Sequence, residues 1–316
     1  MRMKIVGTIL AVSLFCCRAA AQEGKFMPPE GKVLFFVGQD IDTIDAYIGS
    51  TGITPAGLMA YTSIQRMEGI SEPVDDGAGI HHLEYLVKKY PDTVIQIGLY
   101  MVGALDGVLE GHGDQSIDFL GKWMKEFGRP VYLRIGYEFD YPGNGYESGR
   151  YKEAYRYIVD RLRKNGIENV AYVWHSYAFK TERPVMDWYP GDEYVDWFGI
   201  SFFGRRNKYM DYMAELARER NKPLMIAESA PHGIGTADAG AWAGWFQEFF
   251  DFISERKVKA VCYINANWDG QKMWREEGWG DSRIQANEAI KRQWLREIKK
   301  EKYLHSSADL PGMLKQ

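Results

Sequence analysis

The sequence of 316 residues carries 39 Lys and Arg against 43 Asp and Glu, a net charge of −4, and is 14% aromatic with ten Trp. Mild acidity without a basic run argues against nucleic acid or an anionic membrane surface as partner. The length exceeds that of an ordinary single domain but suits an α/β barrel, and no Ser-, Pro- or Gly-rich linker divides it.

Residues 1–21 read as a cleaved secretory signal, with Arg2 and Lys4, an apolar run from Ile5 to Cys17, and Ala19-Ala20-Ala21 before Gln22. The run is too short to span a membrane as a permanent helix. A lipid anchor on Cys16 or Cys17 is the second reading, against which Phe15 stands where a small residue would precede a lipidated cysteine. Cleavage after Ala21 leaves 22–316 as one domain, secreted or periplasmic and expected to act as a monomer. Without Arg2, Lys4 and Arg18 it keeps 36 basic against 43 acidic residues, a net of −7. Cys262 is then the single cysteine, a small buried hydrophobe with no intrachain partner.

Apolar segments and amphipathic helical segments alternate along the mature chain, the pattern of βα units with parallel strands. The expected strands are Val33 to Val37, Gly57 to Tyr61, Val94 to Tyr100, Val131 to Gly136, Val170 to His175, Trp197 to Phe202, Leu224 to Ala227 and Val258 to Ile264. Helices are expected at Ile41 to Ile48, Gly79 to Lys89, Gln115 to Phe127, Arg150 to Asn165, Asn207 to Arg220, Ala239 to Arg256 and Arg283 to Lys300. The fifth crossover, Tyr177 to Glu193, is rich in turn residues and holds little helix. Eight such units make a (β/α)8 TIM barrel, whose active site lies at the C-terminal ends of its strands.

Two strand ends carry glutamates. Arg134 and Glu138 follow the apolar run of the fourth strand, and Glu228 follows that of the seventh. Those strands face each other across a barrel mouth. Hydrolysis of a glycosidic bond with retained configuration needs two carboxyl groups roughly 5 to 5.5 Å apart, one attacking the anomeric carbon and one handling the proton. Proximity of two like charges separates their pKa values, and Arg134 favours the ionised form of whichever carboxylate it touches.

Arg134-x-x-x-Glu138, the run Tyr189 to Asp196 leading into Trp197-Phe198-Gly199, and Lys222-Pro223 ahead of Glu228 resemble glycoside hydrolase family 26, in the clan of retaining (β/α)8 glycosidases. The resemblance spans Pro130 to Ser229, and Trp268 is similar to the family's sugar-platform tryptophan. It implies Glu138 as acid/base, Glu228 as nucleophile, and endo action on a neutral β-linked polysaccharide, with mannan or β-1,3-xylan as the substrates. The chain departs from the family at Tyr137, where His is usual, at Phe203, where a Tyr would bond the nucleophile, and in Asp140 to Tyr146, which lacks the family's Trp.

Arg134, Tyr137, Trp174, His175, Phe203 and Trp268 are the expected substrate-binding residues. Trp174 and His175 end the fifth strand, where a sugar contact and upper-barrel packing are equal alternatives. Trp242 and Trp245 read as core, and Trp274 and Trp279 as a cleft wall. No His or Cys spacing suggests a metal, and neither Gly111-His112-Gly113 nor Gly233-Ile234-Gly235 completes a phosphate-binding pattern, so no cofactor is expected. A lyase or esterase is disfavoured by the absence of a Gly-x-Ser-x-Gly elbow. Two other readings stay open: a hydrolase of a sister family acting on another plant or algal glycan, and a barrel that binds glycans without cleaving them.

Overall fold

A computed structural model of the protein describes residues 22, 24–181 and 183–314. The expected signal segment, with Cys16 and Cys17, lies outside the described residues. Eight parallel strands, β1 (Val33–Gly38), β2 (Gly57–Ser63), β3 (Val94–Tyr100), β4 (Val131–Ile135), β5 (Val170–Ser176), β6 (Trp197–Phe203), β7 (Leu224–Ala230) and β8 (Ala260–Ile264), pair in sequence order. Pairing of Leu34 to Gly38 with Ala260 to Ile264 closes the ring. The protein is a single (β/α)8 barrel.

Seven of the nine α-helices among the described residues, the two short ones Leu105–Leu109 and Leu310–Met313 aside, cover the outside: α1 (Ile41–Thr51), α2 (Leu83–Lys89), α3 (Asp114–Phe127), α4 (Ser148–Lys164), α5 (Lys208–Glu219), α6 (Gln247–Glu255) and α7 (Glu288–Ile298). Their starts are set by side-chain caps: Asp40, Glu147, Asn207 and Asn287 accept from the first free backbone N–H groups of α1, α4, α5 and α7. Among the described residues, the fifth crossover has no α-helix, only the 3₁₀ turns Val185–Trp188 and Asp192–Tyr194.

Three helix expectations need correction. Residues 79–82 are not helical, because Ile80–His81 pairs with Val74–Asp75 across a turn in which Gly77 and Gly79 have φ of 105° and 98°. The segment before α6 starts as a π turn, Trp242–Phe246. The last helix starts only after its cap at Asn287, with Ile284–Ala286 forming a separate 3₁₀ turn.

The alternation of strand side chains makes two cores. One set, including Leu133, Trp174, Phe198, Phe202 and Ile226, packs against the helices. The other fills the barrel, with Leu34, Phe36, Met59, Tyr132, Val173, Trp197, Met225 and the buried free thiol of Cys262. The lower end is plugged: Tyr132 donates to the Phe26 carbonyl at 2.6 Å and Trp197 Nε1 to that of Lys25 at 2.7 Å. The opposite end, where the strands finish, stays open as a cleft of about 700 Å³. No helix among the described residues is long and apolar enough to cross a membrane.

Candidate active site

Strand parity alone does not bring Glu228 into the barrel. Met225 and Ala227 point inward, so strict alternation would send Glu228 out toward the helices. The pairing of β6 with β7 contains a bulge: Ile200 opposes Ile226 but Ser201 opposes Glu228. The extra residue, Ala227, resets the phase, so that Glu228 turns inward and Ala230 follows on the same face. The Ala227 carbonyl is held by Gln96 Nε2 at 2.7 Å from across the barrel.

Glu138 is placed by a different device. After β4, Gly136 and Glu138 both take left-handed backbone, with φ of 56° and 50°. A Cβ on Gly136 would lie 2.7 Å from Met101 Cε, so glycine is required there twice over. Glu138 accepts a conformational cost of about 1 kcal/mol. Its peptide is clamped by Asn144 Nδ2 and Tyr141 N on the Glu138 carbonyl, both at 2.9 Å, and by Phe139 N on the His175 carbonyl at 3.1 Å.

The two carboxylates are ends of one hydrogen-bonded chain. Arg134, fully buried, donates from Nη1 to Glu228 Oε1 and to His175 Nδ1, the latter at 3.2 Å. Arginine has no acceptor, so Nδ1 of His175 accepts and the neutral imidazole carries its proton on Nε2. Nε2 then donates to Ser201 Oγ at 3.0 Å, and Ser201 donates to Glu138 Oε1 at 2.5 Å. Burial, followed by the Arg134 charge, holds His175 well below its ordinary pKa, in keeping with a neutral ring.

Electrostatics separate the pair. Burial first, and the Glu228 charge second, push Glu138 up to about 8, against which Ser201 and Arg134 pull it down. Glu228, 5% exposed, is ion-paired to Arg134, whose guanidinium lies 5.1 Å from the ring centroids of both Tyr61 and Tyr137. Tyr61, from β2, is kept un-ionised by burial and then by the Glu228 carboxylate beside it. Gly98 makes the space: a Cβ there would lie 2.5 Å from Tyr61 Cδ1 and 2.8 Å from Arg134 Nη2.

Glu138, Glu228, Tyr137, Phe203 and Trp268 line the open cleft, as do Trp274 and Trp279. Trp268 is 2% exposed, with Nε1 bonded to Ser282 and its rings packed on Trp274 and Trp279. The cleft face of that cluster is therefore shared with the latter two. Trp242 and Trp245 belong to the helix-side core, as expected.

Of the expected substrate contacts, Arg134, Trp174 and His175 are fully buried and do not line the cleft, a correction to that expectation. Val173 pairs with Arg134, and alternation then turns His175 inward and Trp174 outward. Trp174 stacks on Phe139 at 4.3 Å, sealed from the cleft, and His175 lies beneath the cleft floor with no exposed surface. Ser201 and Tyr61 were not singled out from sequence. Each is an ordinary strand residue whose partner sits on another strand, a relation carried by barrel register alone.

A family model for glycosyl hydrolase family 26 matches residues 128–290. The β-1,3-xylanase TXYA of a Vibrio species is 34% identical over 98% of this chain and 74% of its own length, and a β-1,3-xylanase of an Alcaligenes species is 34% identical over 97% and 72%. Among solved structures, the GH26 β-mannanase BoMan26A of Bacteroides ovatus matches with a TM-score of 0.65 over 88% of this chain and 91% of its own, at 16% identity, a likeness of fold.

Proposed function

The chain belongs to glycosyl hydrolase family 26 and is a glycoside hydrolase, and from that premise we propose that it is a secreted, retaining, endo-acting enzyme that cuts β-1,3-xylan. The sister-family reading lapses with the family match. Residues 1–21 serve as its signal peptide, and the mature enzyme starts at Gln22. The two β-1,3-xylanases at 34% identity support that choice of substrate, and mannan is the second candidate.

The observation that carries the mechanism is the chain Glu228–Arg134–His175–Ser201–Glu138, which ties two carboxyl groups of unlike environment to one cleft. A Glu228 oxygen attacks the anomeric carbon as the glycosidic C–O bond breaks, and the Glu138 proton passes to the leaving oxygen. At Glu138 the Ser201 bond occupies Oε1, which leaves Oε2 to carry that proton. The ester formed on Glu228 is neutral. Loss of its charge removes the second-largest of the causes that raise Glu138, so Glu138 then ionises more readily and takes the proton from an attacking water. Water oxygen bonds to the anomeric carbon, Glu228 leaves as carboxylate, and configuration is retained.

Tyr61 and Arg134 hold Glu228 in place of the tyrosine that Phe203 lacks. The same polar supports argue against a barrel that only binds glycans. Endo action fits a cleft lined by Gln65, Arg66 and Glu68 as well as by Tyr141 and Tyr177, so that sugar chain extends to both sides of the carboxylates.

The test is to incubate residues 22–316 with β-1,3-xylan, β-1,4-mannan and other neutral polysaccharides, following product length and the anomer first released. Oligosaccharides of mixed length with the β-anomer first are expected from β-1,3-xylan. Monosaccharide alone from the outset would remove the endo assignment, and the α-anomer first would remove the retaining one.

A further inference from the structure

A line of aromatic rings leaves the cleft on the Glu138 side and continues onto the outer surface of the barrel rim. Tyr141 and Tyr177 line the cleft, with ring centroids 4.9 Å apart. Phe179 is 6.0 Å from Tyr177, and Tyr209, in the first turn of α5, is 6.2 Å from Phe179. Tyr141 is 42% exposed and Phe179 55%. A lone exposed ring is ordinary, but Phe179 continues a row of rings that begins in the cleft, and a contiguous exposed aromatic row of that kind suits a ligand.

The backbone presenting these rings is anchored. Asp140 accepts from Ser176 Oγ and Tyr177 N, each at 2.6 Å, and Ser176 Oγ accepts from Ala178 N at 2.9 Å, where Ala178 has φ of 55°. Asn207 caps α5 by accepting from Tyr209 N at 2.8 Å. Rings fixed in position, with two rotatable side-chain bonds each, bind a flat partner at low entropic cost.

We propose that Tyr141, Tyr177, Phe179 and Tyr209 form a track for the leaving-group portion of a neutral β-linked polysaccharide, beyond the cleavage point. This rests on the functional reading above. The direction follows from the chemistry: the group that protonates the leaving oxygen faces the portion of chain that departs, and the track starts three residues after Glu138, with Tyr141 N bonded to the Glu138 carbonyl. The occupant is the sugar chain rather than a second copy of the enzyme because the track is continuous with the cleft. The rings stack on the apolar faces of successive sugars, and the track favours long substrates over short ones.

The test measures kcat/KM on soluble β-1,3-xylan and on an aryl β-xyloside, whose leaving group ends next to Glu138, for wild type, Phe179→Ala, Tyr209→Ala and the control Tyr212→Ala. Tyr212 is 47% exposed on the same helix and outside the track. Each track variant is expected to lower the ratio of polysaccharide to aryl glycoside activity roughly 3- to 10-fold, through KM, as fits the loss of one aromatic stacking contact. The control leaves the ratio unchanged. In the full-length Glu228→Ala enzyme, affinity for β-1,3-xylo-oligosaccharides rises with length, and adding Phe179→Ala flattens that rise. A wild-type enzyme that cleaves the aryl glycoside with an unchanged ratio in both variants overturns the track and leaves the glycosidase reading standing. A change of sedimentation in Phe179→Ala at constant ratio overturns it in favour of a contact between copies. A wild-type enzyme inert on every glycan overturns the functional reading and the track together.

Discussion

Glu138 and Glu228 are the same side chain set by opposite means. Glu138 sits past the end of β4 on left-handed backbone, partly exposed, and meets the neutral donor Ser201. Glu228 sits within β7, turned inward by a bulge, almost fully buried and paired with a cation. Burial first and the nearby Glu228 charge second let Glu138 keep its proton to higher pH, against the opposing pull of the Ser201 bond, whereas Glu228 has a cation as its partner. The two carboxyl groups thus differ in environment where composition leaves them equal, and each variant below removes one side of that difference.

Glu228→Ala is the most severe. With no other group to form the covalent bond, turnover falls about 10⁶-fold on polysaccharide and aryl glycoside alike, the scale for loss of a nucleophile. Equal activity of this variant on any substrate would place the nucleophile elsewhere. Glu138→Ala comes next and separates the substrates. Polysaccharide hydrolysis drops about 10²- to 10⁴-fold, the usual worth of a general acid. An activated aryl glycoside, needing little protonation, still forms the intermediate, which accumulates and is released by azide with retained configuration. An azide product of inverted configuration from the Glu228 variant, with an intermediate trapped on Glu138, would exchange the two roles.

Ser201→Ala tests the neutral side of the comparison. Ser201 donates to ionised Glu138 and lowers its pKa, so its removal raises it further. The alkaline limb of the kcat/KM profile should move up by about one unit, the worth of a hydrogen bond to a charged group, with a loss in turnover of roughly ten-fold. A limb that stays in place would detach Ser201 from Glu138.

The fold was legible because eight apolar runs and their intervening amphipathic segments are each locally consistent, from Val33 to Ile264. Glu138 was legible too, since Arg134 and Glu138 lie close together in one stretch. The orientation of Glu228 was not, because the bulge at Ala227 arises from pairing with β6, and a chain read residue by residue has no phase slip in it. The same gap left Trp174 and His175 undecided: adjacent positions look equivalent at a strand end until register decides which one faces in. Ser201, Tyr61 and the space at Gly98 belong to contacts between strands far apart in sequence, and Gly77 and Gly79 broke a helix that the apolar pattern suggested.

The smallest effect is on stability rather than rate, and it tests whether Glu138 holds its proton at neutral pH. Its folded pKa, about 8, lies above the usual 4.5. Between those values the native protein keeps a proton that the unfolded chain has released, so this group's contribution falls as pH rises through the window, and the whole penalty is present above pH 8. Glutamine at 138 stays neutral throughout and still offers Oε1 to Ser201. Glu138→Gln should therefore match wild type near pH 4 and gain on it steadily toward pH 9, where the advantage reaches about 1 to 3 kcal/mol, reduced from the full shift by the partial exposure of the site. For a domain of this size that is about 1.5–2 °C of melting temperature per kcal/mol. Asp140, pushed up to about 6 by burial, contributes its own window to both proteins, and its charge is also a smaller cause of the rise at Glu138, so the difference includes that coupling. Thermal unfolding of the two proteins side by side across pH 4 to 9 gives the curve directly, and a flat difference would mean that Glu138 is already ionised at pH 7 and enters the reaction without the proton assigned to it.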